Sequence, residues 1–166
     1  MDHPFWNFSL AVYDRPGVAE ACIRLQDECG ADVNQVLFIL WQACEGREMT
    51  PQGVAQVQAA VGDWQAKVVR PLREVRRWLK RYPLADGSSG GLREKIKGLE
   101  LDSERLQQER MAGLPIPGHR PADAMENAAS SALGHYAELL KTVFPTAPVS
   151  TLIAGAAGLA EISKPD

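Results

Sequence analysis

The sequence predicts an all-α protein, an irregular bundle of about six to seven helices with one central buried helix. Three observations lead there. From Val54 to Leu79 the apolar residues recur at steps of 3, 4, 3, 4, 4, 3 and 4, the period of one face of an α-helix. The run Val36-Leu37-Phe38-Ile39-Leu40-Trp41 covers nearly every direction around a helix, and a helix apolar all round belongs inside a core. No stretch alternates polar and apolar for long enough to suggest a sheet.

The elements follow in order. Trp6, Leu10 and Tyr13 fall at helical spacing between Phe5 and Asp14. Pro16 is placed to be the first residue of the next helix, where its missing N–H costs nothing. Val18, Cys22, Leu25 and Cys29 are its inner stripe, and Gly30 stops it. Asp32 caps a third helix, Val33 to Glu45, which holds the central run. Thr50-Pro51 opens the fourth as cap plus first residue. Pro71 lies inside that helix and predicts a kink or break near Lys67 to Arg70, because proline removes a hydrogen bond and crowds the preceding turn.

Pro83 and the run Asp86-Gly87-Ser88-Ser89-Gly90-Gly91 predict a loop. A charged helix follows, with Leu92, Ile96, Leu99 and Leu106 on one side, and with Glu100 and Glu104 read as solvated. Gly113 to Pro121 is read as a Pro/Gly linker. A helix is expected from Ala122 to Phe144, then a weak one from Pro148, where Gly155 and Gly158 each cost about 1 kcal/mol relative to alanine. The expected organisation is a helical core over 1–112, the linker over 113–121, and a C-terminal helical segment over 122–166 that packs on or extends the same domain.

Length and composition narrow the class. A chain of 166 residues can bury a sizeable core without disulfides or metals. Net charge is −3, so the whole molecule is not a polyelectrolyte binder. The N-terminus has no basic segment followed by an apolar run, and no stretch is apolar over some 18 residues. The expectation is a cytoplasmic protein without membrane contact. Cys22, Cys29 and Cys44 lack CxxC spacing and are read as reduced core residues.

The segments Phe5-Trp6-Asn7-Phe8-Ser9-Leu10, Pro16-Gly17-Val18-Ala19-Glu20-Ala21-Cys22, Leu25-Gln26-Asp27, Asp32-Val33-Asn34 with Leu37-Phe38 and Trp41, and Val68-Val69-Arg70-Pro71-Leu72-Arg73 resemble a group of small uncharacterised proteobacterial proteins known only as a domain of unknown function. The resemblance covers about Phe5 to Arg110. It implies a bacterial, cytosolic, helical protein, and it carries over no activity, cofactor or catalytic residue.

The best candidate site is a basic stripe. Residues 67–81 hold seven basic side chains and one acid, Glu74, whereas residues 1–66 hold three basic and nine acidic ones. Arg70, Arg73, Arg77 and Lys80 share one helical face. Arginine's planar fork suits carboxylate and phosphate. The competing reading is internal pairing, with Glu20, Asp27 and Glu28 as the available carboxylates. Trp78, among the arginines, is either core, a cation–π partner, or an exposed anchor. Asp27, Asp32 and Asn34 form a weaker carboxylate cluster. The histidines His3, His119 and His135 share no metal-ligand spacing with the cysteines. There is no GxSxG elbow or P-loop. No catalytic, cofactor or metal residue is assigned.

Two functions follow. The first is a non-catalytic adaptor docking an acidic protein partner through Arg70, Arg73, Arg77, Trp78 and Lys80, with nucleic acid a weaker version. It expects those arginines to be exposed and without internal carboxylates. The second is a small helical ligand-binding protein or enzyme in which Arg70 and Arg73 clamp an anionic ligand. It expects a cavity lined by Trp6, Tyr13, Trp41 and one or two arginines.

Overall fold

A computed structural model of the chain describes residues 3–115 and 119–162. The helices are α1 (Pro4–Tyr13), α2 (Val18–Cys29), α3 (Val33–Cys44), α4 (Pro51–Trp64), α5 (Arg70–Arg81), α6 (Ser89–Ala112), α7 (Met125–Leu139) and α8 (Thr146–Ile162). A π-helical turn, Gln65–Val69, joins α4 to α5 without interruption, so the described residues form seven helical rods. The fold is an all-α irregular bundle. Its one sheet among these residues is a pair of three-residue strands, β1 (Arg47–Met49) and β2 (His119–Pro121), antiparallel with Glu48 opposite Arg120.

Helix α3 is the centre. Val36, Leu37, Phe38, Ile39 and Leu40 are all buried. Phe38 meets Phe5 edge-on at 5.2 Å, and Trp41 stacks on Phe5 at 5.1 Å, which ties α1 to α3. The caps form as the sequence predicts. Asp32 accepts from Asn34 N at 3.0 Å, Thr50 Oγ1 accepts from Gly53 N at 3.2 Å, and Gly30 ends α2 at φ 69°. Helices α7 and α8 join the same core, through Ala129, Leu133, Tyr136, Leu152 and Ala156.

Several expectations are corrected. Pro16 is not the first residue of α2. It sits in a turn closed by Val18 N to Arg15 O, and Gly17 at φ 78° precedes the helix. The predicted break before Pro71 is the π turn, where Arg70 N–H reaches back to Gln65 O. The extra residue rotates the helix, so Val69 is fully buried where the simple periodicity places Val68. Helix α6 starts at Ser89 and takes in Gly90 and Gly91, which the sequence reading left in the loop. The linker reading fails at its end, because His119–Pro121 is strand β2; residues 116–118 of that linker lie outside the described residues.

The glycines of the last helix have a packing role. A Cβ on Gly155 would stand 2.6 Å from Val18 Cγ2, and one on Gly158 would stand 2.7 Å from an Arg15 guanidinium nitrogen. Gly155 lets α8 lie close on α2, and Gly158 makes room for Arg15 of the turn before α2. Gly155→Val is expected to destabilise by about 1–3 kcal/mol through overpacking, measurable as a lower urea midpoint at an unchanged slope.

Candidate functional site

The largest correction concerns α6. The sequence puts Leu92, Ile96, Leu99 and Leu106 on one side and Glu100 and Glu104 in water. The structure reverses this: Leu99 is 56% exposed and Glu100 only 6%. The inward face of α6 carries Glu100, Ser103, Gln107, Gln108 and Met111. What it meets explains the reversal, since α5 presents arginines and the α3 N-terminus presents amides.

The arginine side is an ion cluster. Arg73 donates from Nε to Glu100 at 3.0 Å and from a terminal nitrogen to Glu104 at 2.7 Å. Arg76 grips both oxygens of Glu100. Arg77 forks onto Asp27 Oδ1 of α2, at 3.2 and 3.3 Å. Burial works to raise the Glu100 carboxyl, but the hydrogen bond and charge of Arg76, with Arg73 behind them, outweigh it and hold it below the usual range. Burial prevails at Glu104, whose carboxyl is pushed up against the pull of Arg73.

The amide side is a buried chain of hydrogen bonds. Ser9 Oγ donates to Gln108 at 2.9 Å, Gln108 donates to Asn34 at 2.9 Å, and Asn34 donates to Gln107 at 3.1 Å. Gln107 and Gln35 both donate to Asp32 Oδ2. The Tyr136 hydroxyl closes the far end, accepting from Asp32 N at 3.0 Å. Burial pushes the Asp32 carboxyl up, against hydrogen bonds from Gln107, Gln35 and Asn34. Chains of this kind fix side chains in place because each polar group is satisfied by the next.

Between these two sides lies an open cleft of about 360 Å³. Helix α1 and its C-cap supply Trp6, Ser9, Leu10, Tyr13 and Asp14, and the α3 N-terminus supplies Asn34 and Leu37. Helices α5 and α6 supply Arg73, Arg76, Arg77, Lys97, Glu100, Leu101, Glu104 and Gln108. Ile23 of α2 joins Leu10, Tyr13 and Leu101 in an exposed apolar rim.

The sequence-predicted residues therefore part company. Arg73 and Arg77 are internally paired and line the cleft, so the expectation that they stand exposed without carboxylates is corrected. The middle of the stripe, Arg73 and Arg77, turns toward α6 and α2 instead of solvent. Asp27 is one of the partners the sequence offered, whereas Glu100 and Glu104 are not. Arg70 and Lys80 are exposed and make no hydrogen bond or ion pair among the described residues. Trp78 is 58% exposed and packs on the Tyr82 ring at 5.2 Å. Trp41 is absent from the cleft; it packs on Phe5 and Phe38, under Arg47.

The sequence match now has a place in this geometry. Residues 4–111 match the family described as Protein of unknown function (DUF2390). The chain belongs to that family. No curated protein and no solved structure matches it. The DUF2390 region spans α1 to α6 but for the last residue, and so contains every residue that lines the cleft. Strand β2 and helices α7 and α8 lie past it.

Two other constellations are structural. In the DUF2390 protein, Ser131 Oγ donates to Glu48 at 2.9 Å and lies 3.3 Å from His135 Nε2. A triad would need the carboxylate on the imidazole; here it holds the serine and Arg120, and fastens the strand pair to α7. Cys22 is in the core, its thiol pushed up to about 12 by burial. Among the described residues no cluster of three or more His, Cys, Asp or Glu could hold a metal ion, and no helix is long and apolar enough to cross a membrane.

Proposed function

We propose that this DUF2390 protein binds a small amphipathic carboxylate in the cleft. One observation carries the reading: Trp6, Tyr13, Arg73, Arg76 and Arg77 converge on one cavity with a rigid polar floor. The lining carries four cations, Arg73, Arg76, Arg77 and Lys97, and three anions, Asp14, Glu100 and Glu104. Asp27 offsets Arg77 from outside the lining, so the site is near neutral and suits no more than a single negative charge, with Lys97 the lining cation that makes no ion pair among the described residues. A multiply charged anion would meet the glutamates. The carboxylate takes the remaining N–H groups of Arg76 and Arg77 and the Lys97 ammonium. The aliphatic part lies against Leu10, Tyr13, Ile23 and Leu101.

Octanoate and N-acetyl-leucine are suitable probes. At ten times the dissociation constant a ligand stabilises by about 1.4 kcal/mol, so the melting temperature is expected to rise by about 3–6 °C. Arg77 and Lys97 are exposed enough that Arg77→Glu/Lys97→Glu should fold and lose the rise, since exposed pairs contribute about 1 kcal/mol or less. Equal shifts in both proteins, or a larger rise with inorganic phosphate, would count against the cleft.

Part of the adaptor reading keeps separate support. Arg70 is exposed at the first residue of α5, and Lys80 and Arg81 lie exposed in its last turn beside Trp78 and Tyr82, none of them in an ion pair among the described residues. An acidic protein surface would complement this end of α5. The variant Arg70→Glu/Lys80→Glu/Arg81→Glu should then lose a salt-sensitive partner in a pull-down run with and without nuclease. A partner retained by the variant contradicts the reading, and nuclease sensitivity would replace protein with nucleic acid.

A further inference from the structure

The outward face of α6 is complementary to itself, and we infer that the protein forms a homodimer by antiparallel packing of α6 against α6 of a second copy, about a two-fold axis at Leu99. Leu92, Leu99 and Leu106 are each more than half exposed. They are spaced by seven, so they keep to one line of the helix, the seam of a two-helix pairing. The line is about 21 Å long at 1.5 Å per residue.

The occupant follows from symmetry and charge. A two-fold interface must present the same patch to itself. With Leu99 on the axis, Leu92 of one protomer meets Leu106 of the other at both ends. Lys95 lies four residues before the axis and Asp102 three after it, on the same flank of the seam. The two-fold brings each Lys95 level with the partner's Asp102, within about 1.5 Å along the axis. Both side chains are exposed and make no hydrogen bond or ion pair among the described residues. Gly98 beside the seam has open space where a side chain would be, so the backbones can approach there. An unrelated partner would not require this inverted placement of a cation and an anion about the middle leucine.

The test is sedimentation equilibrium on the wild type and four variants, with melting curves to confirm folding. The wild type is expected to dimerise reversibly at micromolar to submillimolar concentration. Leu99→Asp places two carboxylates at the axis and is expected to weaken the dimer on the order of a hundredfold. Lys95→Asp and Asp102→Lys each set like charges face to face and are expected to weaken it about tenfold. The double variant Lys95→Asp/Asp102→Lys exchanges the charges and should restore the wild-type constant. A wild type that stays monomeric up to 1 mM (on the order of the highest concentration such a run allows) overturns the inference and leaves the leucines to a different partner. A dimer indifferent to Leu99→Asp, or a double variant no better than the singles, overturns the antiparallel register.

Discussion

Glu100→Ala is expected to lower the unfolding free energy by about 3–5 kcal/mol, the cost of removing one partner from a buried charge cluster. Glu100 holds Arg73 and Arg76 at once, and its side chain and that of Arg73 are 7% and 12% exposed. Alanine leaves two guanidinium groups facing each other with only Glu104 between them. Asp27→Ala is the comparison. Its pair with Arg77 is roughly half exposed on both sides, and its loss should cost no more than about 1 kcal/mol. Urea denaturation of the two variants measures the contrast. The carboxyl of Glu100 is held below the usual range, so the unfolded chain takes up its proton first as pH falls. The stabilisation is therefore complete above the ordinary glutamate pKa and is lost as pH drops through the depressed folded value. Glu100→Gln should lack that acid limb.

The second large effect is at Asp32. Asp32→Ala removes the α3 cap, worth about 1 kcal/mol, and leaves the buried Gln107 amide without its Asp32 acceptor, at about 1–3 kcal/mol, while Gln35 keeps its bond to Gln58. A total near 2–4 kcal/mol is expected, with a lower thermal midpoint. Here the pH dependence has the opposite sign. Burial pushes the folded carboxyl up, so the folded state binds more protons between the unfolded and folded values. Stability falls as pH rises through that window. Asp32→Asn should remove this slope, which a pH series of melting curves would show.

Much of the fold is legible in the sequence, because its signals are local. Asp32, Thr50-Pro51 and Gly30 mark helix ends by their own chemistry, and the Val36–Trp41 run announces the central helix. Pro71 locates the helical irregularity, although not its form. The site is less legible because its partners are distant. Glu100 and Glu104 lie about 30 residues from Arg73, and on a helix with leucines at spacing seven they read as the wet side. What points the other way is the arginine-rich α5, which needs carboxylates wherever it is covered. The amide chain through Asn34, Gln107 and Gln108 has no periodic signature at all. The strands β1 and β2 are too short to alternate. Gly155 and Gly158 look like helix weaknesses until Val18 and Arg15 are seen against them.

The most direct measurement is a titration followed by the indole N–H resonances of the four tryptophans. Trp6 lines the cleft, Trp41 packs on Phe5 and Phe38, the Trp64 indole bonds Ser103 O at 3.0 Å, and Trp78 is exposed on α5. With octanoate added to the wild type, a carboxylate bound in the cleft gives a saturable shift at Trp6, little change at Trp41 and Trp64, and no such shift in Arg77→Glu/Lys97→Glu. A Trp6 signal that does not move, or shifts of equal size at Trp6 and Trp78 that never saturate, would contradict it.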